Sequence, residues 1–270
     1  MFGGKRASDR GIATPALPRH DRALEQAIRH DRIDLRFQPQ IEPASGRIIG
    51  VEALARWAEV DCAQQLFSRA ATVGLSERLS RHVQRKALRT FAVWTGPLAE
   101  LRLSINLMPR DLDRPGYEQW LLAEIAGAGL KPDQITAEIV ESSLVEDSLE
   151  VAGRLARLRA AGIRIAIDDF GTGYSSLAYL ASLPLDAIKI DRAMIADIVG
   201  GSRDRIIVKA MISLARELGL QVIVEGVESL AQLRLLDDWG CDLYQGFLGA
   251  APLDEMELAR FVASAERSAA

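Results

Sequence analysis

The chain has 270 residues, a formal net charge of −4 and 49% hydrophobic residues. This length fits one large α/β domain, because α/β barrels of about 250 residues fold as single units. The small negative charge excludes a global basic field of the kind that attracts DNA or RNA duplexes. Any phosphate-bearing substrate would therefore be attracted locally, by a metal ion or by a few basic side chains.

Residues 1–20 mix Gly, Pro, Arg and small residues without periodicity, which predicts a flexible N-terminal tail. They lack the continuous apolar stretch of a signal peptide, and no later segment reaches membrane-spanning length. We therefore expect a cytoplasmic protein without membrane contact.

From Asp21 onwards, apolar and β-branched segments alternate with helical patterns. The segments are IDLRFQPQI, RIIGVEAL, LRLSINL, ITAEIV, IRIAIDDF, AIKI, QVIVEGV and LYQGF. A helix is predicted over 147–160, and a capping box at Ser229 predicts another that runs through Trp239. A third is predicted over 202–218, with Ser202 as N-cap and these side chains on one face: Ile206, Ile207, Ala210, Met211, Leu214 and Leu218.

Alternating strands and helices permit either an open doubly wound sheet or a closed barrel. Eight strand-like segments favour an α/β fold of the TIM-type (β/α)8 barrel class, which we place at residues 21–265. The first two segments are joined by a short turn around Ser45-Gly46 that leaves no room for a crossover helix. We therefore expect one antiparallel strand in the barrel.

Polar side chains follow the apolar segments at their C-terminal ends, which converge on one face of a barrel. One acid at a strand end is usually a helix cap or a solvated loop charge. Acids on successive apolar strands, however, carry large desolvation costs unless they are paired or bind metal. The residues at these ends are Glu52, Asn106, Glu138, Glu141, Asp168, Asp169, Lys189, Asp191, Glu225, Glu228 and Gln245.

Carboxylates and an amide oxygen are hard donors suited to Mg²⁺, Mn²⁺ or Ca²⁺. The three histidines lie away from the strand ends, which disfavours a zinc site. Lys189 has three interpretations: a Schiff-base lysine, a cation that holds a water or an anionic intermediate, or a structural counter-charge. A lysine surrounded by acids keeps its charge, which disfavours the Schiff base.

A loop rich in Gly and hydroxyl groups, Asp169-Phe-Gly-Thr-Gly-Tyr-Ser-Ser-Leu177, follows the paired aspartates. Gly171 and Gly173 permit positive φ and close backbone approach, as a lid or a phosphate-binding turn requires.

Seven motifs occur in order: VEALARW (51–57), SINL (104–107), EIVE (138–141), DDFGTG (168–173), KID (189–191), EGVE (225–228) and QG (245–246). Together they resemble the motifs of EAL domains, the bacterial phosphodiesterases of the second messenger cyclic di-GMP. The resemblance extends from about Asp21 to Leu253. It departs from the family pattern in a shorter stretch after Trp57 and at Met108, where Ser usually follows Asn-Leu.

The resemblance implies a cyclic di-GMP phosphodiesterase that uses two Mg²⁺ or Mn²⁺ ions to form linear pGpG. It implies catalytic roles for Lys189, beside the attacking water, and for Glu141, which fixes the Gly-Thr-Gly loop. It implies metal ligands at Glu52, Asn106, Glu138, Asp168, Asp169 and Glu225, the last two also catalytic. It places the substrate-binding residues at Gln38, Leu54, Arg56 and Gln245.

Two alternatives remain open at this point. The first is a catalytically silent EAL-type receptor for cyclic di-GMP or a protein partner, and the second is an unrelated carboxylate barrel such as a glycosidase. The resemblance also implies a homodimer, with the predicted helix 175–183 as a reasonable interface. Regulation would act through the tail, a dimer or a separate protein.

Overall fold

The computed structural model describes residues 20–141, 148–171, 183–201 and 203–269. Eight strands close one barrel in chain order, which confirms the predicted fold class. The strands are β1 (Asp34–Ile41), β2 (Ile48–Arg56), β3 (Arg102–Leu107), β4 (Ile135–Val140), β5 (Arg164–Phe170), β6 (Ala187–Ile190), β7 (Gln221–Val224) and β8 (Leu243–Tyr244). β1 is antiparallel to β2 and β8, as the short turn predicts, and the remaining pairs are parallel.

The helices occupy connections between the strands, except the first, which precedes β1, and the last, which follows β8. They are α1 (Arg22–Arg29), α2 (Ala63–Thr72), α3 (Ser76–Ala92), α4 (Pro109–Leu112), α5 (Tyr117–Gly127), α6 (Ser148–Ala160), α7 (Arg192–Ile195), α8 (Arg203–Glu217), α9 (Leu230–Asp238) and α10 (Glu255–Ala269). In the described part of the chain, none of them combines the length and apolarity that a membrane span requires. The predicted tail, apart from His20, the N-cap Ser202 and most of helix 175–183 lie outside the described residues.

The last two strands are shorter than their apolar patterns predict. β7 ends at Val224 because Gly226 adopts a φ of 68°, and a Cβ there would lie 2.2 Å from Arg192 Cβ. β8 ends at Tyr244, and a Cβ on Gly246 would meet the backbone of Val227 at 2.3 Å. Both glycines allow the chain to leave the sheet and cross close to a neighbouring segment.

The face predicted for α8 is wrong in part. The side chains of Ile206 and Ile207 are 72% and 45% exposed, whereas the fully buried positions are Val208, Ile212 and Ala215. The apolar residues of this helix are distributed over several of its sides, so periodicity alone does not select the face that packs on the barrel. The predicted capping box of α9 is confirmed, since Ser229 Oγ accepts from Gln232 N at 3.2 Å.

The main core lies between the outer face of the barrel and the helices. A separate small apolar layer consists of Ala166, Ala187, Ile223 and Leu243, one residue from each of β5 to β8. Because side chains alternate along a strand, the residue two positions further shares the same face. Those residues are Asp168, Lys189, Glu225 and Gln245.

Candidate functional site

Lys189, on β6, lies at the centre of the polar residues predicted from the strand ends. Its side chain is fully buried, and its Nζ contacts four carboxylates. The distances are 3.0 Å to Glu52 Oε2, 2.8 Å to Glu138 Oε2, 3.1 Å to Asp168 Oδ1 and 2.7 Å to Glu225 Oε1. The closed barrel therefore joins acids from β2, β4, β5 and the end of β7 around one ammonium group.

Burial and charge act in opposite directions on this lysine. Burial alone would lower the pKa of Lys189, but Asp168, Glu138, Glu225 and Glu52 raise it well above its usual value. The amine therefore remains protonated at neutral pH, which is incompatible with the free amine of a Schiff-base lysine. The remaining interpretations are a cationic contact for a water or an anion and a structural counter-charge.

The carboxylates differ in how well their charge is compensated. Burial raises the pKa of Glu52, but Lys189 and hydrogen bonds from Gln245 and Asn106 outweigh it, so the net shift is downwards. Burial, followed by the charge of Glu52, raises the pKa of Glu138 well above its usual value. Burial raises the pKa of Glu225 to about 7. One ammonium group thus compensates only part of the negative charge.

Two amides complete the polar ring. Asn106 Nδ2 donates to Glu52 Oε1 at 2.9 Å, and Gln245 Nε2 donates to Glu52 Oε2 and Glu225 Oε1, both at 2.9 Å. The buried Gln245 Oε1 has no hydrogen-bond partner among the described residues. This oxygen is available to accept a hydrogen bond from a ligand or a water.

Two groups of acids have the spacing that a metal ion requires. Oxygens of Glu52, Glu138 and Asp168 lie within 4.8 Å of one another, and so do oxygens of Asp168, Asp169 and Glu225. If fully ionised, these five carboxylates and Lys189 would carry four excess negative charges, which two divalent cations would balance. The donor set fits hard cations such as Mg²⁺ or Mn²⁺.

Asp169 adopts a φ of 56°, which a non-glycine residue occupies at a cost. Its backbone N donates to Asp168 Oδ1 at 3.1 Å. Burial, followed by the charges of Asp168 and Asp191, raises the pKa of Asp169. Side chains of successive residues in a regular strand point to opposite faces, whereas here oxygens of both aspartates lie within 4.8 Å of each other and of Glu225.

Glu141 follows β4 and is buried. Its Oε2 accepts from Gly171 N at 3.0 Å, which ties β4 to the first glycine of the Gly-Thr-Gly loop. Gly171 has a φ of 102°, as the sequence predicts, whereas Gly173 lies outside the described residues.

Apart from Gln245, the predicted substrate-binding residues lie outside the ring. Leu54 lines a cavity of about 530 Å³ that also touches Glu52, Asn106 and Asp168. Gln38 pairs with Glu52 across β1 and β2 and donates to the Ala250 carbonyl at 3.4 Å. Arg56 ends β2 and donates to the Ala55 carbonyl at 2.9 Å, in a neighbouring cleft.

Sequence reasoning missed two polar residues below the ring. Gln40 Nε2 donates to Ser104 Oγ at 3.3 Å and to Glu138 Oε1 at 3.4 Å, and both Gln40 and Ser104 are buried. The two-residue alternation could have identified them, because Gln40 follows Gln38 and Ser104 precedes Asn106 on the same strand face.

Comparison with known proteins places these features in a family. A model described as the EAL domain matches residues 21–252. Cyclic di-GMP phosphodiesterase NbdA of Pseudomonas aeruginosa is 37% identical over 246 residues, which cover 88% of this chain and 31% of the relative. The chain spans about a third of the length of the curated relatives it matches.

Solved structures agree with this assignment. The PaMucR phosphodiesterase in complex with c-di-GMP has a TM-score of 0.82 and 34% identity, covering 87% of this chain and 97% of that chain. Klebsiella pneumoniae BlrP1 in a manganese/cy-diGMP complex has a TM-score of 0.74 and 31% identity, covering 87% of this chain and 58% of that chain. The chain therefore belongs to the EAL domain family.

Proposed function

We propose that this chain is a metal-dependent phosphodiesterase that hydrolyses cyclic di-GMP to linear pGpG. The observation that carries the proposal is the buried ring of carboxylates around Lys189, whose negative charge exceeds what one ammonium group neutralises. Relatives named as cyclic di-GMP phosphodiesterases, and neighbouring structures named as c-di-GMP complexes, support the choice of substrate.

Two Mg²⁺ or Mn²⁺ ions would be held by Glu52, Asn106, Glu138, Asp168, Asp169 and Glu225. When bound, such ions neutralise phosphate charge and lower the pKa of a coordinated water so that hydroxide forms near neutral pH. The two groups of acids within 4.8 Å support this ligand set.

Lys189 has the role of a charged donor in this proposal. Its raised pKa keeps the amine protonated at neutral pH, so it cannot accept a proton from a nucleophilic water. It would orient that water by donating to it in place of one of its four carboxylate contacts. Asp169 and Glu225 would also be catalytic, and in both of them burial raises the pKa, that of Glu225 to about 7.

The remaining predicted residues would bind the substrate or hold the loop. Gln38 and Leu54 lie on β1 and β2 beside the ring, and Arg56 lies in the neighbouring cleft at the end of β2. All three would contact the dinucleotide. The free Oε1 of Gln245 would accept a hydrogen bond from the substrate or from water. Glu141 would hold the Gly-Thr-Gly loop through its bond to Gly171.

We further propose that the protein acts in the cytoplasm as a homodimer and that a separate protein regulates it. We place the tail at residues 1–20 and the barrel domain at residues 21–265. The family match over 21–252 is compatible with this division.

Hydrolysis of cyclic di-GMP by the purified chain, with Mg²⁺ or Mn²⁺ and with identification of the product, tests the proposal. We expect pGpG from the wild type and no turnover from Glu52→Ala. The matched control is Glu217→Ala, which removes an exposed carboxylate at the end of α8 and should leave turnover unchanged. Binding of cyclic di-GMP without turnover by the wild type would instead support the silent receptor.

A further inference from the structure

A buried polar cluster lies on the helix side of β3, behind the ring of acids. We call it the Gln84 cluster and define it as Ser80 and Gln84 of α3, Asp111 of α4 and Tyr117 of α5. All four residues are buried. The cluster contains none of the predicted metal ligands or substrate contacts, and the proposed function assigns it no role.

Gln84 connects this cluster to the ring. Its Nε2 lies 3.0 Å from the Asn106 carbonyl oxygen, 3.1 Å from Ser80 Oγ and 3.2 Å from Asp111 Oδ2. Its Oε1 accepts from Tyr117 OH at 3.0 Å. The Gln84 side chain is therefore held from both ends of its amide, and its NH2 group contacts the backbone of a predicted metal ligand.

Asp111 holds the chain just beyond Asn106. Its Oδ2 accepts from Met108 N at 3.0 Å and from Ser80 Oγ, while Oδ1 accepts from Arg114 Nη2 at 2.8 Å. Asp111 thus accepts from the backbone N–H at the start of α4, while its own backbone N donates to the Met108 carbonyl at 2.8 Å. The cluster fixes the backbone at Asn106 and again two residues later.

The barrel itself holds this segment on one side only. The pairing of β3 with β2 ends at Glu52↔Ser104, whereas its pairing with β4 continues to Leu107↔Ile139. The bond from Gln84 to the Asn106 carbonyl supplies a contact where the β2 pairing has stopped. The orientation of Asn106 therefore depends on α3 as well as on the sheet.

We propose that Gln84 is a positioning residue for Asn106. It fixes the backbone from which the Asn106 amide extends, with Nδ2 directed at Glu52 Oε1 (2.9 Å), so that the amide oxygen could serve as the cation ligand of the proposed function. The metal part of this inference rests on the proposed function, whereas the effect on the conformation of Asn106 does not. Partners behind a ligand typically change metal affinity by about 10–100-fold when removed.

The conformation can be measured directly, because Asn106 is the only asparagine in the chain. Protein labelled with ¹⁵N only in asparagine gives one backbone and one side-chain amide signal, both from Asn106. In metal-free wild type we expect a dispersed side-chain pair that exchanges slowly with water. In Gln84→Leu, the chemical shifts of the two side-chain amide protons should move towards those of a solvent-exposed amide, and these protons should exchange faster with water.

A second variant and a control separate positioning from loss of stability. Tyr117→Phe removes only the hydroxyl donor to Gln84 and should shift the same signals by a smaller amount. Leu158→Ala removes buried apolar atoms near the end of α6, at the opposite end of the barrel from the ring, and should leave the signals unchanged.

Calorimetric titration with Mg²⁺ and Mn²⁺ gives the second readout. We expect the dissociation constant to rise about 10-fold in Gln84→Leu and to stay unchanged in Leu158→Ala. Wild-type signals and wild-type affinity in Gln84→Leu would overturn the inference. Failure of the wild type to bind either ion would refute the proposed metal site, and the Asn106 signals of Gln84→Leu would then decide the positioning role alone. Wild type that binds the ions but leaves cyclic di-GMP intact would refute the proposed function and still support the positioning role.

Discussion

Two adjacent layers on the same face of strands β5 to β8 differ completely in character. The lower layer is Ala166, Ala187, Ile223 and Leu243. The upper layer, two residues further along the chain, is Asp168, Lys189, Glu225 and Gln245, of which the last two lie directly after β7 and β8. The lower layer needs no ligand, because its apolar side chains pack against one another and leave no polar group to be compensated. The upper layer satisfies its charges only in part, and this difference indicates which end of the barrel binds something.

Replacement of Lys189 should give the largest effect. Lys189→Met leaves Glu52, Glu138, Asp168 and Glu225 without their counter-charge, so we expect the free energy of unfolding in EDTA to fall by about 3–5 kcal/mol. Hydrolysis should be lost as well. Urea unfolding with and without Mg²⁺ measures this, and Mg²⁺ should restore part of the stability. Equal stability of variant and wild type in EDTA would show that Lys189 is not the counter-charge of the ring.

A change in the lower layer should separate packing from charge. Ile223→Ala removes buried apolar atoms and should lower the free energy of unfolding by about 2–5 kcal/mol. Because Ile223 contributes no polar atom to the ring, Mg²⁺ affinity should stay close to that of the wild type. Calorimetry on the folded variant checks this. A loss of affinity comparable to that of Glu52→Ala would mean that the two layers are not independent.

Cation binding should stabilise the wild type, because the ions bind only the folded ring. At a Mg²⁺ concentration 100 times the dissociation constant, the gain is about 2.7 kcal/mol. Glu138→Gln should be at least as stable as the wild type in EDTA, since burial and the Glu52 charge already raise the pKa of Glu138. The same variant should lose most of the Mg²⁺ gain. Thermal unfolding with and without Mg²⁺ measures the stability in EDTA and the gain from the ion. A Glu138→Gln variant that is less stable than the wild type in EDTA would contradict the expected neutral or stabilising effect.

The pH dependence of metal-free stability should give the smallest effect. The pKa of Glu225 is about 7 in the folded protein and about 4.3 when unfolded. The folded state therefore binds this proton more tightly. Its contribution to stability is present below the unfolded pKa and is lost as pH rises towards 7. The slope is at most about 1.4 kcal/mol per pH unit for one proton. Urea unfolding in EDTA from pH 5 to 8 measures it, and Glu225→Gln should flatten the curve.

Much of the upper layer could be predicted from the sequence, because a polar residue after an apolar strand is a local signal. Glu52, Asn106 and Glu138 were identified in this way and do meet in the structure. Gln84 could not be, because it lies within an amphipathic helix, where a buried glutamine looks like any other polar position. The face of α8 was predicted incorrectly in part for a related reason. Apolar side chains occur on several sides of that helix, so its sequence does not indicate which side is buried.

The order of strands and helices, the antiparallel first pair and the chemical type of the ring could all be predicted from the chain. These follow from local periodicity and turn length, which depend on neighbouring residues alone. Two contacts emerge only in the folded barrel: Lys189 with Glu52, 137 positions away, and Gln84 with the Asn106 carbonyl. Those contacts depend on how the barrel closes and how its strands are staggered, and no local pattern specifies either.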